Sequence, residues 1–141
     1  MSEEAQVRSA LQIQKGKLDY SSKPTAFMAD VSGTNGPSPG AVTVATTGTD
    51  IDFYQLTTPA LCRIMNLDST NRVDYGIYDP ETVKYYPFGE LLAGESFVIR
   101  LSRDLQQEYG TGTGTTGANT NRLHFRAENS AVNVLVEAFE A

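Results

Sequence analysis

"RVDYGIYDPETVKYYPF", Arg72–Phe88, decides how this chain folds. Val73, Tyr75 and Ile77 recur at spacing two, the period of a strand with one buried face. Asp79–Thr82 reads DPET, with proline at the turn position that favours a φ of about −65°. Tyr85 and Tyr86 follow as the returning strand. The spacing therefore predicts a β-hairpin over residues 72–88.

The same alternation runs outward in both directions. Upstream, Leu61, Arg63, Met65 and Leu67 face one way, and Cys62 and Ile64 the other. That run is apolar on both sides, as in a central strand. Ala41–Ala45 and Ile51–Leu56 read as short strands, preceded by the turn-rich Gly33–Gly40. The first forty residues hold two weaker extended segments. In one, Leu11 and Ile13 alternate with glutamines, and in the other Phe27, Ala29 and Val31 alternate with Met28 and Asp30. Downstream, Phe97, Ile99 and Leu101 alternate toward a core, and Ser102–Tyr109 allows one helical turn capped by Ser102. Leu123, Phe125 and Ala127 form the next strand. Val132, Val134, Val136 and Ala138 form the last, with Leu135 and Phe139 on its other face, so it lies mid-sheet or against a partner subunit. Eight to ten short strands at regular spacing predict an all-β fold, an antiparallel β-sandwich of jelly-roll-like type. Residues 1–40 are expected as an extended N-terminal arm with the first strands, part of the same unit as the sandwich of residues 41–141.

Composition narrows the function classes. The 141 residues suffice for one domain with a core, and 40% hydrophobic against 20% charged residues indicates a folded chain. A net charge of −6 disfavours nucleic acid as a partner, which needs clustered Lys and Arg. Cys62 is the single cysteine, so no intrachain disulfide forms, and its apolar setting predicts an inert core thiol. MSEEAQVRSA lacks the apolar core of a signal peptide, and no stretch reaches the roughly 20 apolar residues of a membrane span. Synthesis in a reducing cytoplasm and no membrane partner are the expectation.

The motifs that carry chemistry are weak. GTGTTG, Gly112–Gly117, matches G-x-G-x-x-G, but a dinucleotide site needs a helix opening at the last glycine, and ANTNRLHFRAEN reads as loop and then strand. The run is better read as a solvated loop, or as one that orders against a neighbouring subunit. His124, the only histidine, sits between Leu123 and Phe125, on the polar side of its strand, and reads as a surface or interface residue. Glu90, Glu95, Glu137 and Glu140 have no fixed separation of the kind a glycosidase pair requires. Asp68, Asp74 and Asp79 do not match a calcium loop. No enzyme activity, metal or cofactor is expected. The aromatic group Tyr75, Tyr78, Tyr85, Tyr86 and Phe88 places five rings in fourteen residues. That suits either packing beneath the hairpin or a subunit contact, where tyrosine keeps one end dry and the other wet.

From about Asp52 onward, the order of pieces resembles small structural proteins of tailed bacteriophages. The resemblance rests on Asn-Leu-Asp-x-Thr-Asn at Asn66–Asn71, Tyr75–Gly76, Gly94–Glu95 before an apolar strand, and the closing Ala-Val-Asn-Val-Leu-Val. GPSPG before a Val-Thr-Val strand fits the same group. The resemblance implies a cement or decoration protein on the outer capsid surface, a homotrimer bound to the major capsid protein. It is equally similar to a tail-tip or fibre module that binds a host receptor or glycan. It transfers no catalytic residue. Leu11 and Ile13 of the arm, His124 and the five hairpin aromatics are the expected interface residues.

Overall fold

The computed structural model describes residues 4–53, 56–102, 105 and 121–141. Their regular structure is all strand, and every pairing is antiparallel. The strands are β1 (Ala5–Ser9), β2 (Gln12–Lys15), β3 (Leu18–Ser21), β4 (Thr25–Ala29), β5 (Ser38–Val44), β6 (Thr49–Asp50), β7 (Pro59–Asn66), β8 (Val73–Asp79), β9 (Lys84–Leu91), β10 (Ser96–Arg100), β11 (Arg122–Ala127) and β12 (Val132–Glu140). Two sheets of four strands have the orders β10-β7-β12-β5 and β6-β11-β8-β9. The pairs β1-β4 and β2-β3 stand apart from both.

Alternation becomes burial in the two larger sheets. β12 turns Val132, Val134, Val136 and Ala138 inward, and β7 adds Cys62 and Ile64. From the other sheet come Val73, Tyr75, Leu91, Leu123, Phe125 and Ala127. β7 and β12 lie mid-sheet, as their two apolar faces predict. Burying an aliphatic or aromatic side chain of this size contributes about 1.5–3 kcal/mol.

The hairpin of residues 72–88 forms as β8 and β9, extended to Leu91. Its turn is held by Asp79, whose carboxylate accepts the Glu81 amide at 3.0 Å and the Thr82 hydroxyl at 2.6 Å. The register shifts between Tyr75 and Gly76. A Cβ on Gly76 would run into the backbone carbonyl oxygen of Tyr86, so glycine is needed where β9 crosses so closely.

The Asn66–Asn71 turn is built from side chains. Asn66, fully buried at the end of β7, donates through Nδ2 to the carbonyls of Asn71 (2.8 Å) and Leu91 (3.1 Å). Its Oδ1 accepts the Asp68 amide at 2.9 Å. Asp68 Oδ1 accepts the amides of Thr70 (2.8 Å) and Asn71 (2.7 Å). These amides, Asn71 first, hold the Asp68 carboxyl below its ordinary range. The motif is therefore an Asx turn tied to a buried asparagine.

Several expectations need correction. The short strand before Pro59 is Thr49–Asp50, and Ile51 and Phe53 are buried in irregular chain instead. The turn-rich break ends early, because β5 starts at Ser38, whose hydroxyl donates to the Phe53 carbonyl at 3.1 Å. β5 thus crosses the boundary expected at residue 40. Phe97 pairs with Ile64 and shares its face, yet it is 49% exposed, because β10 is an edge strand with no strand bonded on its other side among the described residues. At Ser102, the Leu105 amide donates back to the Ser102 carbonyl at 3.0 Å, one turn, and the rest of the expected helical turn lies outside the described residues.

Candidate interaction surface

The five hairpin aromatics divide three ways. Tyr75 is in the core, 5.9 Å from Phe125 and edge-on to Phe88 at 5.1 Å between ring centres. The inward parity of Val73 carries it beneath the sheet, the packing alternative of the two that the aromatic group allowed. Tyr78 and Tyr85 are half-buried and flank His124, at 5.1 and 4.7 Å. Tyr86 and Phe88 are exposed.

His124 corrects a second expectation. It does point away from Leu123 and Phe125, but it is buried. β6 places Asp50 opposite it, and Nδ1 lies 2.7 Å from Asp50 Oδ1. A carboxylate only accepts, so Nδ1–H donates. Asp50 Oδ2 also accepts from Arg122 at 2.9 Å. Nε2 packs against Gly48, where a Cβ would collide with it and where φ is +103°. Arg126 lies over the Tyr85 ring at 5.1 Å and reaches Asp74 at 3.5 Å. Burial pushes the Tyr85 hydroxyl up to about 12, and among the described residues it has no hydrogen-bond partner. The arrangement fixes an imidazole as a wall between two rings. With one nitrogen bonded to Asp50 and the other against Gly48, it clamps β6 to β11. The clue missing from the sequence reading was Gly48-Thr49-Asp50, which becomes informative only once β6 is known to pair with β11.

The carboxylates considered for catalysis each hold the fold. Glu90 and Glu137 pair with Arg72 and Arg63, both at 2.7 Å. Glu95 accepts the Leu92 amide at 2.9 Å, and Glu140 accepts the Thr57 amide at 2.7 Å. Among the described residues, no three His, Cys, Asp or Glu side chains converge on a common point. Cys62 is buried in β7, and burial, with Glu137 second, pushes its thiol up to about 12, far from the thiolate a nucleophile needs. No helix among the described residues is long and apolar enough to cross a membrane. The GTGTTG run lies outside the described residues.

The N-terminal strands carry an uncovered apolar face. β1-β4 and β2-β3 continue one another as a two-stranded ribbon, closed at Gly16-Lys17, where Gly16 has φ +58°. Glycine at the first position of a two-residue loop is the signal for this hairpin. In the register Ile13 faces Tyr20 and Lys15 faces Leu18. Leu11, Ile13, Leu18 and Tyr20 therefore share one face, and Gln12, Gln14, Asp19 and Ser21 the other. The apolar four are all exposed, at 56%, 40%, 57% and 52%. Leu11 and Ile13, expected at an interface, are exposed on this face. Leu18 and Tyr20, missed in the sequence, belong with them.

No protein-family model, curated protein or solved structure matches the chain.

Proposed function

We propose that the chain is a decoration (cement) protein of a tailed bacteriophage, bound to the outer capsid surface as a homotrimer. In this reading the two four-stranded sheets are the halves of a jelly-roll-like β-sandwich. The N-terminal ribbon is an arm that clasps the major capsid protein. The observation that carries it is the ribbon's uncovered apolar face. A two-stranded ribbon is marginal alone in water, and four large apolar side chains on one face call for a covering surface. The net charge of −6 suits a protein outside the DNA-filled shell. A binding role without catalysis fits the engagement of His124 and the four glutamates in structural bonds.

Purified protein is expected to bind shells that lack it and to raise the temperature at which they come apart. Absence of binding, or unchanged heat stability, rejects the proposal. Exposed Tyr86 and Phe88 favour a second reading, a tail-tip or fibre module that binds a receptor or glycan. Copy number per particle separates the two: hundreds for decoration, a handful for a tail.

A further inference from the structure

Each of the two larger sheets ends in two edge strands, and three of the four edges are blunted. β5 carries Pro39, β9 carries Pro87 beside a register shift, and β6 has two residues. Proline removes a ladder donor, and short or bulged edges resist further pairing. β10 has none of these devices. It reads Ser-Phe-Val-Ile-Arg, pairs with β7 in unbroken register, and among the described residues bonds no strand on its other side.

A groove of about 500 Å³ runs along this edge, between β10 and the root of the ribbon. All five residues of β10 line it. Leu61 and Arg63 of β7 line it opposite Arg100 and Val98, so the groove lies over the outer face of the β10–β7 pair and reaches the open edge of β10. Val7 and Phe27 of the ribbon and Leu61 of β7 add apolar surface. The charged residues of the lining are Arg8, Arg63 and Arg100, with no Asp or Glu among them. In a chain of net charge −6 that is a local reversal of sign. Arg63 is neutralised by Glu137. Arg8 donates only to the neutral Gln6 side chain at 3.0 Å, and Arg100 forms no ion pair among the described residues.

We propose that this groove takes an extended polypeptide segment of alternating acidic and apolar side chains, added as a strand on the free edge of β10. The backbone ladder gives affinity, while Arg8 and Arg100 select carboxylates on the incoming strand. Phe97, about half exposed and on the opposite face of β10 from Arg100, receives the apolar side chains. The inference does not need a capsid, so its test is separate from that of the decoration reading.

The probe is a fluorescein-labelled decapeptide of alternating Glu and Val, followed by fluorescence polarisation on the full chain, with alternating Lys and Val as the control. The Glu–Val peptide is expected to bind and the Lys–Val peptide not. The double variant Arg8→Glu/Arg100→Glu is expected to weaken binding by about tenfold or more. Val98→Pro, which blocks the edge, is expected to abolish it. Amide exchange at Ser96–Arg100 slows in the complex. Both arginines are on the surface, so the double variant keeps its fold even if Val98→Pro does not. The proposal is overturned by any of three results: no binding, equal binding of both peptides, or a charge-matched single-stranded DNA oligonucleotide displacing the peptide as a better ligand.

Discussion

The ribbon of β1–β4 and the paired sheets that follow it obey the same sequence rule and meet different ends. In β12, Val132, Val134 and Val136 alternate with polar and larger residues, and every valine is buried. In β2, in β3 and at Leu11 just before β2, the apolar Leu11, Ile13, Leu18 and Tyr20 alternate with glutamines and an aspartate just as regularly, and every one is exposed. Alternation specifies which side chains share a face. What covers that face depends on the rest of the chain or on another molecule. The contrast predicts that the two regions differ sharply in what a substitution costs.

The largest effect belongs in the core. Phe125 is fully buried against Tyr75. Phe125→Ala is expected to destabilise the protein by about 3–5 kcal/mol, measured by urea denaturation followed by circular dichroism. A loss below about 1 kcal/mol, the scale of a surface change, would erase the distinction between the regions.

Next comes the β6–β11 clamp. Gly48→Ala adds a methyl where φ is +103° and where it would meet His124 Nε2. A cost of about 1–3 kcal/mol is expected. The imidazole should also leave its place between Tyr78 and Tyr85, visible as a change in the His124 ring-proton shifts. Unchanged shifts and unchanged stability would mean that the clamp does not hold the two strands.

These two sites also mark the limit of what the sequence discloses. β7 was legible as a central strand and β12 as one lying mid-sheet or against a partner subunit, because a run apolar on both faces needs cover on both; the sheet order places both mid-sheet. The DPET hairpin was legible from turn chemistry and the alternation on either side of it. Both are local signals. His124 looked like a surface residue because its own strand places it on the polar side. Its burial comes from Asp50 and Gly48, more than seventy residues earlier. Phe97 looked like a core residue because its parity is right. Its exposure comes from β10 being an edge, a fact of sheet order rather than of sequence. Tyr75 was grouped with its aromatic neighbours, although its parity with Val73 already marked it as internal. The ribbon's hairpin was present in Lys15-Gly16-Lys17-Leu18, where glycine opens a two-residue loop.

The ribbon supplies the reverse test. Ile13→Ser/Tyr20→Ser removes two exposed apolar side chains from its uncovered face. In the isolated protein, stability is expected to stay within about 0.5 kcal/mol of the parent. If this face is the clasp, the same variant should lose binding to shells. A large loss of stability in the isolated protein would show that the face is already covered and would break the comparison.

The smallest effect is expected at the Asn66–Asn71 turn, and only in acid. The backbone amides of Asn71 and Thr70 hold the Asp68 carboxyl below its ordinary value of 3.8. A group whose pKa is depressed on folding stabilises the native state above its unfolded value, and that contribution is lost as pH falls through the folded value. The turn should therefore be intact at neutral pH, and its bonds should weaken only below pH 3.8. The Thr70 and Asn71 amide proton shifts are the readout. They should titrate together, with a midpoint below 3.8. In Asp68→Asn, whose side-chain oxygen still accepts but does not titrate, this transition should vanish. A midpoint at or above 3.8 would mean that the amides do not favour the charged carboxylate. The turn would then be held chiefly by Asn66, whose bonds to Asn71 and Leu91 come from a neutral amide that does not respond to acid.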